Sequence, residues 1–221
     1  MDMTHPGLEF VVNSGETVGS IPATTVSSFV REYGCIAGIN TGPFSPVSAN
    51  VEEERTIIGI SINNGILSAP AVPGYDALVL YTTGEAAIVS QATLTDPESL
   101  TDIRSAVGGF SEVLRDGAVT KKTLARNGPR HPRSAAGISA DAKVLYLLAI
   151  DGRQLRSIGA TEEEIALILK QLGAAQGLNF DGGGSTALAL RYSDGKVRTA
   201  NNPIHGKERE VATCLGIRVV E

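Results

Sequence analysis

The residues with the greatest chemical potential lie together in the run LNFDGGGST, residues 178–186. A short apolar stretch, 178–180, reads as a buried strand and ends in a carboxylate, three glycines and two hydroxyls. Gly182, Gly183 and Gly184 lack a Cβ, so the turn can adopt positive φ and let a ligand come close to its N–H groups. Successive N–H groups in such a turn make a concave nest for an anion. Asp181 stands at its lip as a general base or nucleophile, with Ser185 and Thr186 as orienting donors. The competing reading is a glycine-rich hairpin in which Asp181 makes only a local turn bond. No G-x-x-x-x-G-K-[ST] pattern is present and no lysine adjoins the glycines, which excludes a nucleotide-binding P-loop.

Three further groups could act with this turn. Asp151 ends an apolar run, 143–150, and is followed by Gly152 and Arg153. It is a second carboxylate at a strand terminus, either catalytic or a support for its loop. The most basic stretch of an acidic chain is RNGPRHPR, 126–133. Its prolines disfavour a helix, so Arg130, His131 and Arg133 are expected on a loop just before strand 135–139. Arginine carries a rigid fork of donors suited to phosphate or carboxylate. Asn40, Thr41 and Gly42 follow a strand read at 35–39, and Asn40 can offer donor and acceptor together to a sugar hydroxyl or acyl amide, or cap a turn.

These residues need elements to hold them. Thr24 or Thr25 caps a helix, 25–33, whose apolar residues recur at helical spacing and which stops at Gly34. Asn63, Asn64 and Gly65 between apolar runs signal a hairpin joining 56–62 to 66–67, and strands at 77–81 and 86–93 continue the sheet. Asp96-Pro97 opens a predicted helix over 97–107, with Leu100, Ile103 and Val107 on one face. Residues 143–150 read as a central, doubly covered strand. Thr161 and Glu164 form a capping box for helix Glu162–Leu172, whose buried stripe is Ile165, Ile168, Leu169 and Leu172 and whose stop is Gly173. Strands follow at 187–192, 197–200 and 211–220, the last inside a sheet. Residues 45–55 are expected as an exposed loop on which Glu52, Glu53 and Glu54 form a solvated face. The fold class is α+β: one domain with a mixed, largely antiparallel twisted β-sheet system flanked by helices.

Composition narrows the function. A net charge of -5 over 221 residues argues against a nucleic-acid partner, and no apolar run is long enough for a transmembrane helix. The first residues lack the basic and apolar segments of a signal peptide, as a trimmed exported chain also would. Cys35 and Cys214 are too few for a disulfide scaffold or a Cys-rich metal site, and buried free thiols are favoured over a bridge. No cofactor motif is visible, although Asp151 and Asp181 could share a divalent cation. Oligomeric state is not legible.

The segments NTGPF (40–44), GGFSEVLRDG (108–117), RHPRSAAGIS (130–139), DGR (151–153), GATEEEIALILKQLGAAQGLNFDGGGST (159–186) and REVATCLGI (209–217) resemble the phosphodiester glycosidase family, in the family's order. The resemblance covers most of the chain and implies one such domain over residues 1–221. It implies hydrolysis of a sugar, with N-acetylglucosamine the expected one, linked through its anomeric carbon to a phosphodiester. A sugar phosphodiester or phosphate-containing glycan would be the partner. An extracytoplasmic place, periplasmic or at the cell surface, is likewise implied. The family's N-G-G-F-F appears here with Thr41 and Pro43, so the sugar pocket can differ and a non-catalytic glycan-binding protein is a rival. A P–O-cleaving phosphodiesterase is a second. Such a hydrolysis passes through an oxocarbenium-like state that needs a carboxylate, while arginines and turn N–H groups stabilise the leaving phosphate. The expected roles are therefore Asp181 as catalytic carboxylate, Arg130 and Arg133 on phosphate, Gly182, Gly183 and Gly184 as N–H donors, and Asn40 on the sugar. His131 can donate a proton, and Arg209 is a further phosphate candidate.

Overall fold

The computed structural model describes residues 1–15, 17–47, 53–126 and 128–220; Glu52 of the expected acidic face and Asn127 of the basic stretch lie outside them. Three five-stranded sheets are built around one another. The first runs in the order Leu8–Val12, Cys214–Val219, Ala37–Asn40, Leu188–Arg191, Val197–Thr199. The second runs Ile66–Ala69, Ser61–Asn63, Ile103–Gly109, Asp76–Tyr81, Ala86–Ser90. The third runs Ala118–Val119, Ser111–Arg115, Ala174–Asn179, Arg133–Ser139, Leu145–Ile150. A small sheet of Ser20–Pro22, Glu54–Ile57 and Phe44–Ser45 completes the set.

All three large sheets meet at one core. Val12, Ile39 and Leu215 of the first touch Leu78, Leu80 and Val107 of the second and Ala136, Ile138, Leu178 and Phe180 of the third. Helix α1 (Val26–Glu32) buries Val26, Phe29 and Val30 on the outer face of the first sheet. Its cap is Thr25, which accepts a hydrogen bond from the Ser28 N–H at 3.2 Å. A short helix, α2 (Lys121–Arg126), follows the third sheet's edge hairpin. Helix α3 (Glu162–Leu172) has the expected capping box, and Gly173 ends it at φ 104°. Ile165, Ala166 and Leu169 are its buried residues, whereas Leu172 is exposed. Each large apolar side chain so buried stabilises the seat by roughly 1.5–3 kcal/mol. Leu169 can sit so low because Gly137 and Gly177 beneath it leave room, a Cβ at either falling 2.9–3.0 Å from its methyls.

The fold is thus largely β with short helices rather than α+β, and every strand ladder among the described residues is antiparallel rather than mixed. The main cause is the expected helix 97–107. Asp96 caps only a 3₁₀ turn, Pro97–Leu100, and Ile103–Gly109 is a strand in the middle of the second sheet. Both its faces are covered, so its sequence lacks strand alternation and its apolar spacing imitates a helix. The converse error occurs at Leu145–Ile150, an edge strand of the third sheet rather than a central one. Its two faces pack on different cores, Leu147 on one and Leu148 and Ile150 on the other, and the residues at Met1 and Met3 pair with its outer side. The loop expected at 45–55 also differs, since Arg55 is fully buried on strand Glu54–Ile57 and pairs with Glu53 at 3.1 Å. The strand expected at 86–93 ends at Ser90, where Gln91–Leu94 turns as a 3₁₀ segment, and the run 56–62 is divided between strands Glu54–Ile57 and Ser61–Asn63; three other readings hold. Asn64 and Gly65 turn the hairpin at φ 48° and 78°, the strand Cys214–Val219 lies inside the first sheet, and Cys35 and Cys214 are buried free thiols. Burial pushes the Cys35 thiol up to about 11 and the Cys214 thiol higher than usual.

Candidate active site

Strand Ala174–Asn179 pairs with Ser111–Arg115 on one side and Arg133–Ser139 on the other, and Phe180 fills the core behind it. The chain therefore emerges at Asp181 with its backbone already fixed. The Asp181 N–H donates to Thr41 O at 2.8 Å, and the Asp181 carbonyl accepts from Asn40 Nδ2 at 2.7 Å. Asn40 is buried and uses its other atom as well, Oδ1 accepting from Ser134 Oγ at 2.6 Å and from the Ala187 N–H at 3.1 Å. It holds the start and end of the glycine turn in place, and stands inside the sheet rather than toward a sugar.

The turn itself is a 3₁₀ segment, Gly183–Ser185, entered at Gly182. Gly183 takes φ 62° and donates its N–H to Pro132 O at 2.9 Å. One of the three donors of the expected nest, the Gly183 N–H, is thus spent inside the protein, while the Gly184 N–H has no protein acceptor among the described residues. The Asp181 carboxyl is held above its ordinary value chiefly by burial; the hydroxyl of Ser185, the Arg209 charge and the Gly182 N–H act against that rise. Arg209 Nη1 in turn donates to Ser185 Oγ at 3.3 Å.

Two guanidinium groups lie against the turn. A Cβ built on Gly183 would sit 3.6 Å from Arg153 Nη1, and one on Gly184 would sit 2.5 Å from Arg209 Cζ. Arg153, at φ 55°, is steered there by His131, whose Nδ1 is 3.0 Å from Arg153 Nη2. Arginine has no acceptor, so Nδ1 must accept and the imidazole proton sits on Nε2. Burial, then the charges of Arg153 and Arg133, lower the His131 pKa and favour that neutral form.

The remaining candidates take supporting positions. Arg130 stands apart and exposed, its fork filled by both carboxylate oxygens of Glu164, the same glutamate that closes the α3 capping box. That pairing holds the Glu164 carboxyl down at about 2. Arg133 lies beneath Gly182, donating to Ala160 O at 3.0 Å and Pro129 O at 3.2 Å. Asp151 supports a loop, its Oδ1 accepting from the Asn202 N–H at 2.8 Å and Asn201 Nδ2 at 3.1 Å. Gly42 is buried against Gly108 O. Thr41 and Thr186 are also buried, and with Thr213 they carry hydroxyls that make no hydrogen bond among the described residues. A cavity of about 580 Å³ opens at the far end of the strands, lined by residues that include Ile138, Lys170 and Gln176, and touches none of the candidate residues. Sequence reasoning did not select Arg153; its one visible signal is the DGR at the end of a strand.

A largely antiparallel β-fold thus presents a partly buried carboxylate on a glycine turn, with Arg209 and Arg153 lying against the glycines. The chain belongs to the phosphodiester glycosidase family, whose sequence model matches residues 33–218. It is 27% identical over 209 residues to the SPbeta prophage-derived uncharacterized protein YomE of Bacillus subtilis (strain 168), covering 90% of this chain and 30% of that protein. The chain thus spans under a third of the length of that relative. Among solved structures it is similar to a hypothetical protein from Synechocystis (TM-score 0.76, 14% identity, 100% of this chain and 58% of that one). It is also similar to the zebrafish N-acetylglucosamine-1-phosphodiester α-N-acetylglucosaminidase catalytic domain auto-inhibited by its pro-peptide (TM-score 0.65, 18% identity, 97% and 84%). A third is a candidate exported protein of Burkholderia pseudomallei K96243 (TM-score 0.68, 17% identity, 98% and 72%). At these identities the structural likeness is one of fold.

Proposed function

We propose that this chain hydrolyses a sugar-1-phosphodiester at the anomeric C–O bond. The observation that carries the reading is the placement of Asp181, a partly buried carboxyl with a raised pKa, on a turn that Arg153 and Arg209 lie against. In this reading Asp181 takes a proton from water as the oxygen attacks the anomeric carbon, and the C–O bond electrons pass to the phosphate. A departing phosphate is already acidic and needs little protonation. Arg153, Arg209 and the Gly184 N–H stabilise its charge instead. Ser185 orients the carboxylate, and His131 orients Arg153 rather than acting as the acid. N-acetylglucosamine is the sugar to try first, from the family and from the name of the zebrafish neighbour. An extracytoplasmic site of action fits the Burkholderia neighbour.

The test is product formation from α-N-acetylglucosaminyl phosphate methyl diester in ¹⁸O-water by wild type and Asp181→Asn. Free sugar carrying the label, lost in the variant, is the expected result. Label in the phosphate instead identifies P–O cleavage. Saturable binding without turnover by wild type replaces the enzyme with a glycan-binding protein.

A further inference from the structure

Asn201 joins two pieces of the candidate site that lie far apart in the chain. Its Oδ1 accepts from the Leu188 N–H at 2.8 Å, and its Nδ2 donates to Thr186 O at 3.2 Å and to Asp151 Oδ1 at 3.1 Å. Thr186 closes the glycine turn, and Asp151 follows the strand Leu145–Ile150 and opens the loop that carries Arg153. One side-chain amide therefore spends its acceptor and both its donors on tying the end of the turn to the start of the arginine loop. Asn202 grips the same loop on both flanks of Arg153. Its N–H donates to Asp151 Oδ1 at 2.8 Å, its Nδ2 donates to Gln154 Oε1 at 2.6 Å, and its carbonyl accepts from Gln154 Nε2 at 2.6 Å.

Between these anchors Arg153 takes φ 55°, a conformation uncommon outside glycine. Gly152 just before it is packed so closely that a Cβ there would fall 2.6 Å from Pro132 N. Such a backbone persists only where its surroundings over-determine it, and the bonds from Asn201 and Asn202 do so here. The effect reaches the far end of the side chain, where Arg153 Nη1 lies 3.6 Å from the position a Cβ on Gly183 would take. His131 steers the guanidinium; Asn201, bonded to both loop and turn, sets the distance its stem must span.

We propose that Asn201 is a positioning residue for the reaction, holding Arg153 against the glycine turn so that its guanidinium meets the phosphate of the substrate. The inference rests on the glycosidase reading above. The polar atoms of Asn201 are filled by the protein, so it acts through Arg153.

The experiment is a pair of double-mutant cycles read with α-N-acetylglucosaminyl phosphate methyl diester. Asn201→Asp keeps an acceptor for the Leu188 N–H but sets a carboxylate against Thr186 O and Asp151 Oδ1, which pushes the loop off the turn. Gln154→Ala removes only the two bonds to Asn202. Each is made in wild type and in Arg153→Asn, because asparagine tolerates positive φ while removing the guanidinium. Arg153→Asn is expected to lower kcat/KM by about 10²-fold. Asn201→Asp should cost about tenfold and Gln154→Ala about threefold, as a displacement of less than about 1 Å can, and each less than about twofold once Arg153 is replaced. The loss in Asn201→Asp should also divide between kcat and KM in the same proportion as that in Arg153→Asn. Equal fold-losses in the two backgrounds, or wild-type kcat/KM in folded Asn201→Asp, overturn the assignment while leaving the glycosidase intact. Should Asn201→Asp not fold, the Gln154→Ala cycle decides by the same criteria. If wild type turns over no diester, the glycosidase reading fails and the role of Asn201 falls with it.

Discussion

Alanine at Gly184 tests whether Arg209 holds the phosphate, and does so without removing a charge. The new Cβ would lie 2.5 Å from Arg209 Cζ, short of the 3.4 Å of an ordinary contact by about 0.9 Å. Gly184 is not among the glycines at positive φ, so alanine suits the backbone. The clash is with the flexible end of one side chain, and the fold can relieve it cheaply by letting the guanidinium retreat. Moving a unit charge from about 4 to about 5 Å from its partner at an effective dielectric of about 20 loses close to 0.8 kcal/mol. Weakening one charge-assisted hydrogen bond adds a little over 1 kcal/mol. Together, about 2 kcal/mol corresponds to roughly thirtyfold in kcat/KM. The assay is release of free sugar from the methyl diester, with thermal melting alongside. Arg209→Ala and the double variant Gly184→Ala/Arg209→Ala complete a cycle. Once the guanidinium is gone the methyl group has nothing to displace, so the second substitution costs little more. Wild-type kcat/KM in Gly184→Ala, or fully additive losses in the cycle, would refute the placement of Arg209 on the phosphate.

Other substitutions separate chemistry from support. Asp181→Asn is expected to lower turnover by about 10³-fold. Its stability effect has a definite sign: the folded-state pKa is raised above the ordinary 3.8, so stability from the neutral carboxyl is present below 3.8 and is lost as pH rises through the folded value. The variant should therefore melt no lower than wild type at neutral pH, with any gain closing in acid; a lower melting temperature at neutral pH contradicts this. Ser185→Ala removes the hydroxyl that does most to offset burial at Asp181, which should move the acid limb of the kcat/KM profile to higher pH. Asn40→Ala strips three hydrogen bonds, two of them buried, and should cost roughly 2–4 kcal/mol in urea unfolding. Arg130→Ala should leave turnover of the diester close to wild type, because that fork is occupied by Glu164; a large loss would return Arg130 to the phosphate.

What was legible in the sequence was whatever is decided within a few residues. The capping box of Thr161 and Glu164, the stop at Gly173 and the Asn64-Gly65 hairpin are local devices, and each formed as read. The glycine turn was legible as a turn for the same reason, since three consecutive glycines mark where a buried strand ends. The strand Ile103–Gly109 was not, because burial on both faces comes from sheets assembled elsewhere in the chain and erases the alternation that announces a strand.

The arginines mark the limit most clearly. Arg130, Arg133, Arg153 and Arg209 all lie near the ends of strands or in the loops beside them, and position along the chain ranks them almost equally. Their guanidinium groups sit at the end of long flexible stems, so the nearest acceptor decides where each one goes. Glu164 captures Arg130, and the carbonyls of Ala160 and Pro129 hold Arg133. Arg153 is left facing the turn because its neighbour His131 offers a lone pair on one side and repels it from no other. That lone pair exists only while His131 is neutral, a state favoured by the same burial and cationic neighbours that surround it. The basic stretch therefore does contribute to the candidate site, through His131 as a positioning residue and Arg133 beneath Gly182, while the fork over Gly183 comes from the DGR of another strand end.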